Sequence, residues 1–205
     1  MSFDIGTFLS QGLVHGGARP SKFDIQCNIP AALTGLVDPT SSAKLTFTCK
    51  SASIPASQLG LVEAPYFGRK IKLAGDRVFD EWVIQVMLDE DYNSRAVFEV
   101  WSNFINSIES NVMTTAAENP ATGALTKFQE IGYKSDWGIT HYGQDGTTIR
   151  QYAMSGAWPR IVGPIAVDWD ATNRIIIFPV NVCFDLCVPT LEGVYGNQSL
   201  YIGSL

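Results

Sequence analysis

Over the span 82–108 the hydrophobic period of the chain changes, and that change constrains the fold more than any other feature. Trp82, Ile84, Val86 and Leu88 recur at every second position within 81–88, as in a strand with one buried face. Beyond the acidic corner that follows, the apolar positions become Val97, Trp101, Phe104, Ile105 and Ile108. That spacing puts five side chains on one face of a helix, with Arg95, Glu99, Ser102, Asn103 and Asn106 opposite. Asn93 or Ser94 suits the N-cap, and Asp89, Glu90 and Asp91 lie near the positive end of the helix dipole. The segment reads as a strand turning sharply into the one convincing helix, whose apolar stripe has to be buried against the remainder of the chain.

That remainder reads as sheet. Residues 1–20 form an N-terminal arm with a Gly-Gly turn, and 22–29 is a first strand with Phe23, Ile25, Cys27 and Ile29 inward. A loop over 31–43 leads to a second strand, 44–52, with Leu45, Phe47 and Cys49 on one face. Two prolines and two glycines in 53–68 argue for a long excursion over a tight hairpin. Yet that excursion carries Ile54, Pro55, Leu59, Leu61, Val62, Tyr66 and Phe67. An apolar loop of this length is expected to touch a partner. A short strand over 69–73 and a turn at Ala74-Gly75-Asp76 precede the strand at 81–88.

Residues 110–127 read as a surface loop, with an added insertion at 111–127. The Asp145-Gly146 step between 136–142 and 147–157 signals a hairpin, whose second strand Trp158-Pro159 would end. A short strand at 164–169 and a long one at 174–187 follow, then a tail, 188–205, with Glu192 its one charged residue. The sum is seven or eight strands and one α-helix, a mainly β chain of barrel or sandwich type in a single domain of 205 residues.

Several function classes are disfavoured. The 14 Lys and Arg are scattered and the net charge is −6, which does not suit a nucleic-acid binder. The apolar runs are too short to cross a membrane and the N-terminus does not resemble a secretory signal, so neither membrane insertion nor export is expected. Cys27 and Cys49 read as small apolar residues on strand faces; Cys183 and Cys187, four apart on one strand, are too distant for a disulfide or a shared metal. His15 and His141 have no nucleophile beside them, and Asp89, Glu90 and Asp91 lack calcium-loop spacing. No phosphate-binding or nucleophile-elbow motif is present. The tryptophans, Trp82, Trp101, Trp137, Trp158 and Trp169, suit core or interface more than sugar stacking. No cofactor, metal or enzymatic activity is expected.

The order of short motifs carries a resemblance. A strand ending in Ser53-Ile54-Pro55 is followed by Tyr66-Phe67-Gly68-Arg69, Ala74-Gly75-Asp76-Arg77, a strand from Trp82, and an acidic corner with Tyr92 leading to Arg95, Phe98 and Trp101. A second run, YAMSGAWPRIVG over 152–163, continues through Ile165 to Asp168. In these motifs the chain resembles the tail tube proteins of contractile-tailed, T4-like bacteriophages (myoviruses), over about half its length. The resemblance implies hexameric rings stacked into a hollow conduit inside a contractile sheath, with the segment 53–67 reaching the next ring. It implies as partners further copies of the chain, the sheath protein, baseplate and tube-terminator proteins, a tape-measure protein, and viral DNA passing through without specific binding. It places the protein in the virion, after assembly in the host cytoplasm. Apolar loops without a substrate site, and an acidic balance that repels phosphates, agree with that reading. The tube of a type VI-like or other contractile injection system, a tube-initiator or baseplate paralogue, and a ligand-binding β-barrel remain as alternatives.

Overall fold

The computed structural model describes residues 4–13, 17–111 and 132–190. Among these, seven strands form one curled sheet and two form a separate ribbon. The sheet runs β1 (Phe23–Cys27), β6 (Ser135–Tyr142), β7 (Thr148–Val162), β8 (Ile177–Cys183), β5 (Trp82–Met87), β2 (Cys49–Ala52), with β9 (Leu186–Thr190) also paired to β7. All these pairings are antiparallel. The ribbon is β3 (Ser57–Tyr66) against β4 (Arg69–Phe79). Helix α3 (Asn93–Ile105) follows β5, as the period change requires, and α2 (Ser41–Thr48) precedes β2. A short helical turn, α1 (Ile5–Thr7), continues as a π-helical turn over Phe8–Gly12.

The core forms where the sheet closes over α3. Trp82 on β5 and Trp137 on β6 have two strands between them in the sheet, yet their rings meet at 6.0 Å. Trp101 and Phe98 of α3 reach the same indole at 6.0 and 6.4 Å, and Phe98 also meets Phe178 of β8 at 6.3 Å. Both Trp137 and Trp101 bury a polar nitrogen, and each donates it, to Asn28 O and Tyr133 O respectively. Val97, Phe98 and Trp101 are buried, and Phe104 and Ile105 pack against this core. Ile108 does not belong to the packed face: the helix ends at Ile105 and Ile108 is 83% exposed.

Helix α3 starts differently from the expectation. Neither Asn93 nor Ser94 is the cap; Tyr92 holds that position at φ 58, and the capping group is Asp89. Its Oδ1 accepts from Ser94 N at 2.9 Å and from the Ser94 hydroxyl, while Ser94 is itself buried. Arg95 secures the other side, donating to Gly163 O at 2.9 Å and to Glu99 at 2.6 Å, with its guanidinium 5.4 Å from the Phe178 ring.

Strand β7 builds the corner that joins the two halves of the sheet. Its first part lies between β6 and β9, and its last residues, 158–162, pair with β8. Trp158-Pro159 therefore does not end the strand; it lies at the bend, with a register shift between Pro159 and Ile161. The turn is made at Gly156, whose φ of 71 favours glycine, with Asp185 packed over it. Asp185 N donates to Ser155 O, and Asp185 Oδ2 holds Lys134 at 2.6 Å.

Other expectations need correction. The chain has more than one helix: 41–48 is α2, not the start of a strand, and β2 keeps only Cys49–Ala52. The alternation of Leu45, Phe47 and Cys49 gives way because a helix there covers the open edge of β1, where the Ser42 hydroxyl donates to Cys27 O. Leu45 is buried and Phe47 is 82% exposed. The segment 164–169 forms no strand, and the long strand at 174–187 is two, β8 and β9, broken at Phe184 and Asp185. Cys183 and Cys187 thus lie on different strands. The expected tail begins inside β9; its remainder beyond Thr190, and the insertion loop beyond Asn111, lie outside the described residues.

Two substitutions test these joints. At Gly156 an added Cβ would lie 2.2 Å from Asp185 Oδ2 at a left-handed φ. Gly156→Ala should destabilise the subunit by about 2 kcal/mol, read as a fall in Tm of roughly 5 °C; an unchanged Tm would refute the corner's role. Burial alone would push the Asp89 carboxyl up, but its Ser94 hydrogen bonds outweigh this and hold it below its ordinary value. A carboxyl depressed in the folded state stabilises above its unfolded pKa and loses that contribution as pH falls through the folded value. Asp89→Ala should cost about 1 kcal/mol at neutral pH. In urea titrations the difference from the parent should shrink as the medium is acidified below 3.8.

Candidate functional site

The segment 53–67 is not a loop. From Ser57 it is strand β3, which pairs with β4 through nine registered pairs down to Tyr66–Arg69. The link between them is the two-residue step Phe67-Gly68, with φ of 44 and 76. Positive φ at both central residues is what a hairpin turn of matching twist requires. Ala74-Gly75-Asp76 is not a turn but lies at a register shift in the ribbon, between the pairs Leu61–Ala74 and Leu59–Arg77. There Gly75 and Gly60 approach so closely that a Cβ on Gly75 would lie 3.0 Å from Gly60 C.

The ribbon leaves the domain. Its base is fixed: Trp82 Nε1 donates to Ser53 O, Gln58 to Asp80 at 2.7 Å, and Phe79 meets the Phe184 ring at 5.6 Å. Beyond that base β3 and β4 pack chiefly on each other. Ten residues of strand extend it by roughly 30 Å.

Cross-strand pairing sorts its side chains into two faces. Val62 opposite Leu73, Ala64 opposite Ile71 and Tyr66 opposite Arg69 make one apolar face ending in an arginine. Glu63 opposite Lys72 and Pro65 opposite Lys70 make the other, where Lys70 and Glu63 pair at 2.6 Å. Of the expected contact residues, Ile54, Leu59, Leu61, Val62 and Tyr66 are at least half exposed, and Phe67 at the tip is 89% exposed. Pro55 alone is half-buried. Ile71 and Leu73 on β4 belong to the same surface; 69–73 had shown a basic strand, and only the pairing reveals which face it shares. Among the described residues this apolar strand pair has no cover beyond its base.

Nothing comparable exists at the groups weighed for catalysis. Among the described residues no cluster of His, Cys, Asp and Glu could hold a metal ion. His141 Nε2 lies 2.8 Å from Arg19 O, and His15 lies outside the described residues. The four cysteines are free. Burial pushes the Cys27 thiol well up and the Cys49 thiol up to about 12, so neither supplies a thiolate near neutral pH. No described helix is long and apolar enough to cross a membrane.

Residues 18–186 match the family model described as phage tail tube protein. The chain belongs to this family. This tail tube chain is 31% identical to the tail tube protein gp19 of Enterobacteria phage T4 over 141 residues, 68% of this chain and 78% of that protein. It is 29% identical to the tail tube protein of Serratia phage KSP90, over 62% of this chain and 65% of that one. In fold it is similar to the sheath/tube terminator of the PVC extracellular contractile injection system, at a TM-score of 0.57, 14% identity and 86% and 98% coverage of the two chains. It is also similar to the tube-terminating cap of the anti-feeding prophage, at a TM-score of 0.55 and 15% identity, covering 86% and 92%. The protein is a structural subunit of a phage tail tube and hence a component of the virion.

Proposed function

We propose that this tail tube subunit forms hexameric rings, and that its β3–β4 hairpin joins each ring to the next. The carrying observation is the apolar face of Val62, Tyr66, Ile71 and Leu73, exposed on a ribbon that the described residues of its own domain leave uncovered. A tube of identical copies supplies the cover, because a head-to-tail contact repeats without end. The assembled tube acts as a rigid unit driven forward by the contracting sheath. Its partners are further copies, the sheath, the baseplate, the terminator and a tape-measure protein, and its role is mechanical, without catalysis.

The wall of the channel fits the outward face of the β1-β6-β7 layer. In register there lie Asp24, Thr140 and Gln151, then Gln26, Gly138 and Ala153; Gln26 and Ala153 are exposed, while Thr140 and Gly138 are buried between their neighbours. The strand residues of this layer that point to the core include Arg150, which faces Tyr152. At the outward positions of β1, β6 and residues 148–157 of β7 there is no lysine or arginine, and the exposed Arg160 farther along β7 is paired with Glu81, so passing DNA meets carboxylates and amides with little free cation to hold its phosphates.

The hairpin is tested with Tyr66→Ser combined with Phe67→Ser. Both side chains are exposed, so the subunit should keep its Tm within about 1 °C, in line with surface substitutions. By electron microscopy the parent should give stacked tubes and the variant single rings or monomers. Tubes of normal length and abundance from the variant would refute the stacking role.

A further inference from the structure

The other end of the same sheet carries a second uncovered apolar surface. Strand β5 starts at the hairpin's base, at Trp82, and ends at Met87 beside Ile177 of β8. Leu88 N donates to Ile176 O, so the β5–α3 corner and the β7–β8 connection, 164–176, lie together beyond that end. The six residues of β5 set this end roughly 20 Å from the hairpin's root. Here Trp169 is fully exposed, Val167 is 79%, Ile175 65% and Tyr92 50% exposed. Monomeric surfaces seldom leave a tryptophan bare among other apolar groups.

The charges at the two ends are complementary. The apolar groups beside Tyr92 and Trp169 are accompanied by the exposed Glu90, Asp91, Asp168 and Asp170, against the single nearby Arg174. The hairpin, Ser57 to Phe79, carries Arg69, Lys70, Lys72 and Arg77 against Glu63 and Asp76, in a chain whose net charge is −6. Lys70 is paired with Glu63, and Arg77 donates to the Ser57 hydroxyl at 3.0 Å. Arg69, at the end of the apolar face, and Lys72 remain available to a partner.

We infer that the surface of Tyr92, Val167, Trp169 and Ile175 is the socket for the β3–β4 hairpin of a second copy of this chain. The contact is heterologous: tip and socket lie at opposite ends of sheet β7-β8-β5-β2, so each copy offers one of each and the contact propagates along an axis. Phe67 and Tyr66 meet Trp169 and Val167, while Arg69 and Lys72 approach the acidic rim. The assignment rests on the stacking role proposed for the hairpin and adds the surface that receives it. It also gives a purpose to the 164–176 connection, whose Trp169 is fully exposed.

A charge swap separates the two ideas. One variant carries Arg69→Glu and Lys72→Glu, a second Asp168→Lys and Asp170→Lys, and a third carries all four. Each full-length chain is offered to short seeds of parent tube, and elongation is measured by microscopy. The first two should elongate at least tenfold less than the parent, and the third, seeded on its own tubes or polymerised alone, should recover most of the loss. If the hairpin reversal elongates normally, the stacking role fails and the socket with it. If the hairpin reversal is defective while the socket reversal elongates normally, stacking stands and the socket is overturned. Loss in both without recovery in the third also overturns the pairing. A benzophenone side chain in place of Phe67, which is exposed and should not disturb folding, gives an independent reading in assembled tubes. Cross-links to 164–176 or to Tyr92 are expected, and cross-links confined to other segments would overturn the socket.

Discussion

Trp137 is the side chain on which the architecture depends. It stands on β6, and its indole touches Trp82 from β5 and both Phe98 and Trp101 from α3. A sheet with β7 and β8 between those strands could lie open; contact between Trp82 and Trp137 requires it to curl, and α3 fills the space that curling creates. Aromatic groups of this size dominate the energetics of a small core, and removal of one commonly costs about 3–5 kcal/mol. The indole nitrogens keep the cluster from sliding, because each buried N–H has a particular carbonyl to find. With the core satisfied around one cluster, the ribbon beyond Phe79 and most of the 164–176 connection are left outside it.

That separation suits a chain whose described residues gather no metal-holding cluster and no activated thiol. The apolar side chains divide in two: most of those of β5, β6, β8 and α3 are buried inside, while most of those of β3, β4 and 164–176 remain outside, Phe79 and Ile165 excepted. In the proposed stacking such surface stays open until another copy arrives, and a net charge of −6 would keep unassembled copies apart by long-range repulsion while the basic and acidic ends would attract locally. The left-handed conformation of Phe67 fits the same logic. A bulky residue at φ 44 is tolerated at a turn where asparagine or glycine would be easier, which keeps an aromatic ring at the tip.

The sequence revealed the parts whose local pattern and tertiary role agree. The alternation of Trp82, Ile84 and Val86, the stripe through Val97 and Trp101, and the Asp145-Gly146 hairpin all appear where the pattern put them. It concealed the ribbon, because Pro55, Pro65, Gly60 and Gly75 read as breakers. In a ribbon both strands are edges, so Pro65 costs no essential ladder bond, and paired glycines mark a register shift instead of a turn. Helix α2 was hidden because Leu45, Phe47 and Cys49 alternate like a strand, and only the need to cover β1 decides otherwise. The break between β8 and β9 has no turn residue of its own; it follows from Asp185 bridging Lys134 and the Gly156 bend, a contact between three distant segments. Asp89 acting as the cap in place of Asn93 or Ser94 is likewise a matter of chain path, since Tyr92 takes the left-handed position between them.

In the proposed assembly the β3–β4 ribbon is uncovered in the subunit and covered in the tube. Amide hydrogen exchange, compared between the isolated subunit and the assembled tube, reads this directly. Peptides from 57–79 should exchange rapidly in the subunit, while those of β5 and β8 are protected, and in the tube the ribbon should become as slow as the core. Strong protection of the ribbon in the isolated subunit, or no change on assembly, would contradict it.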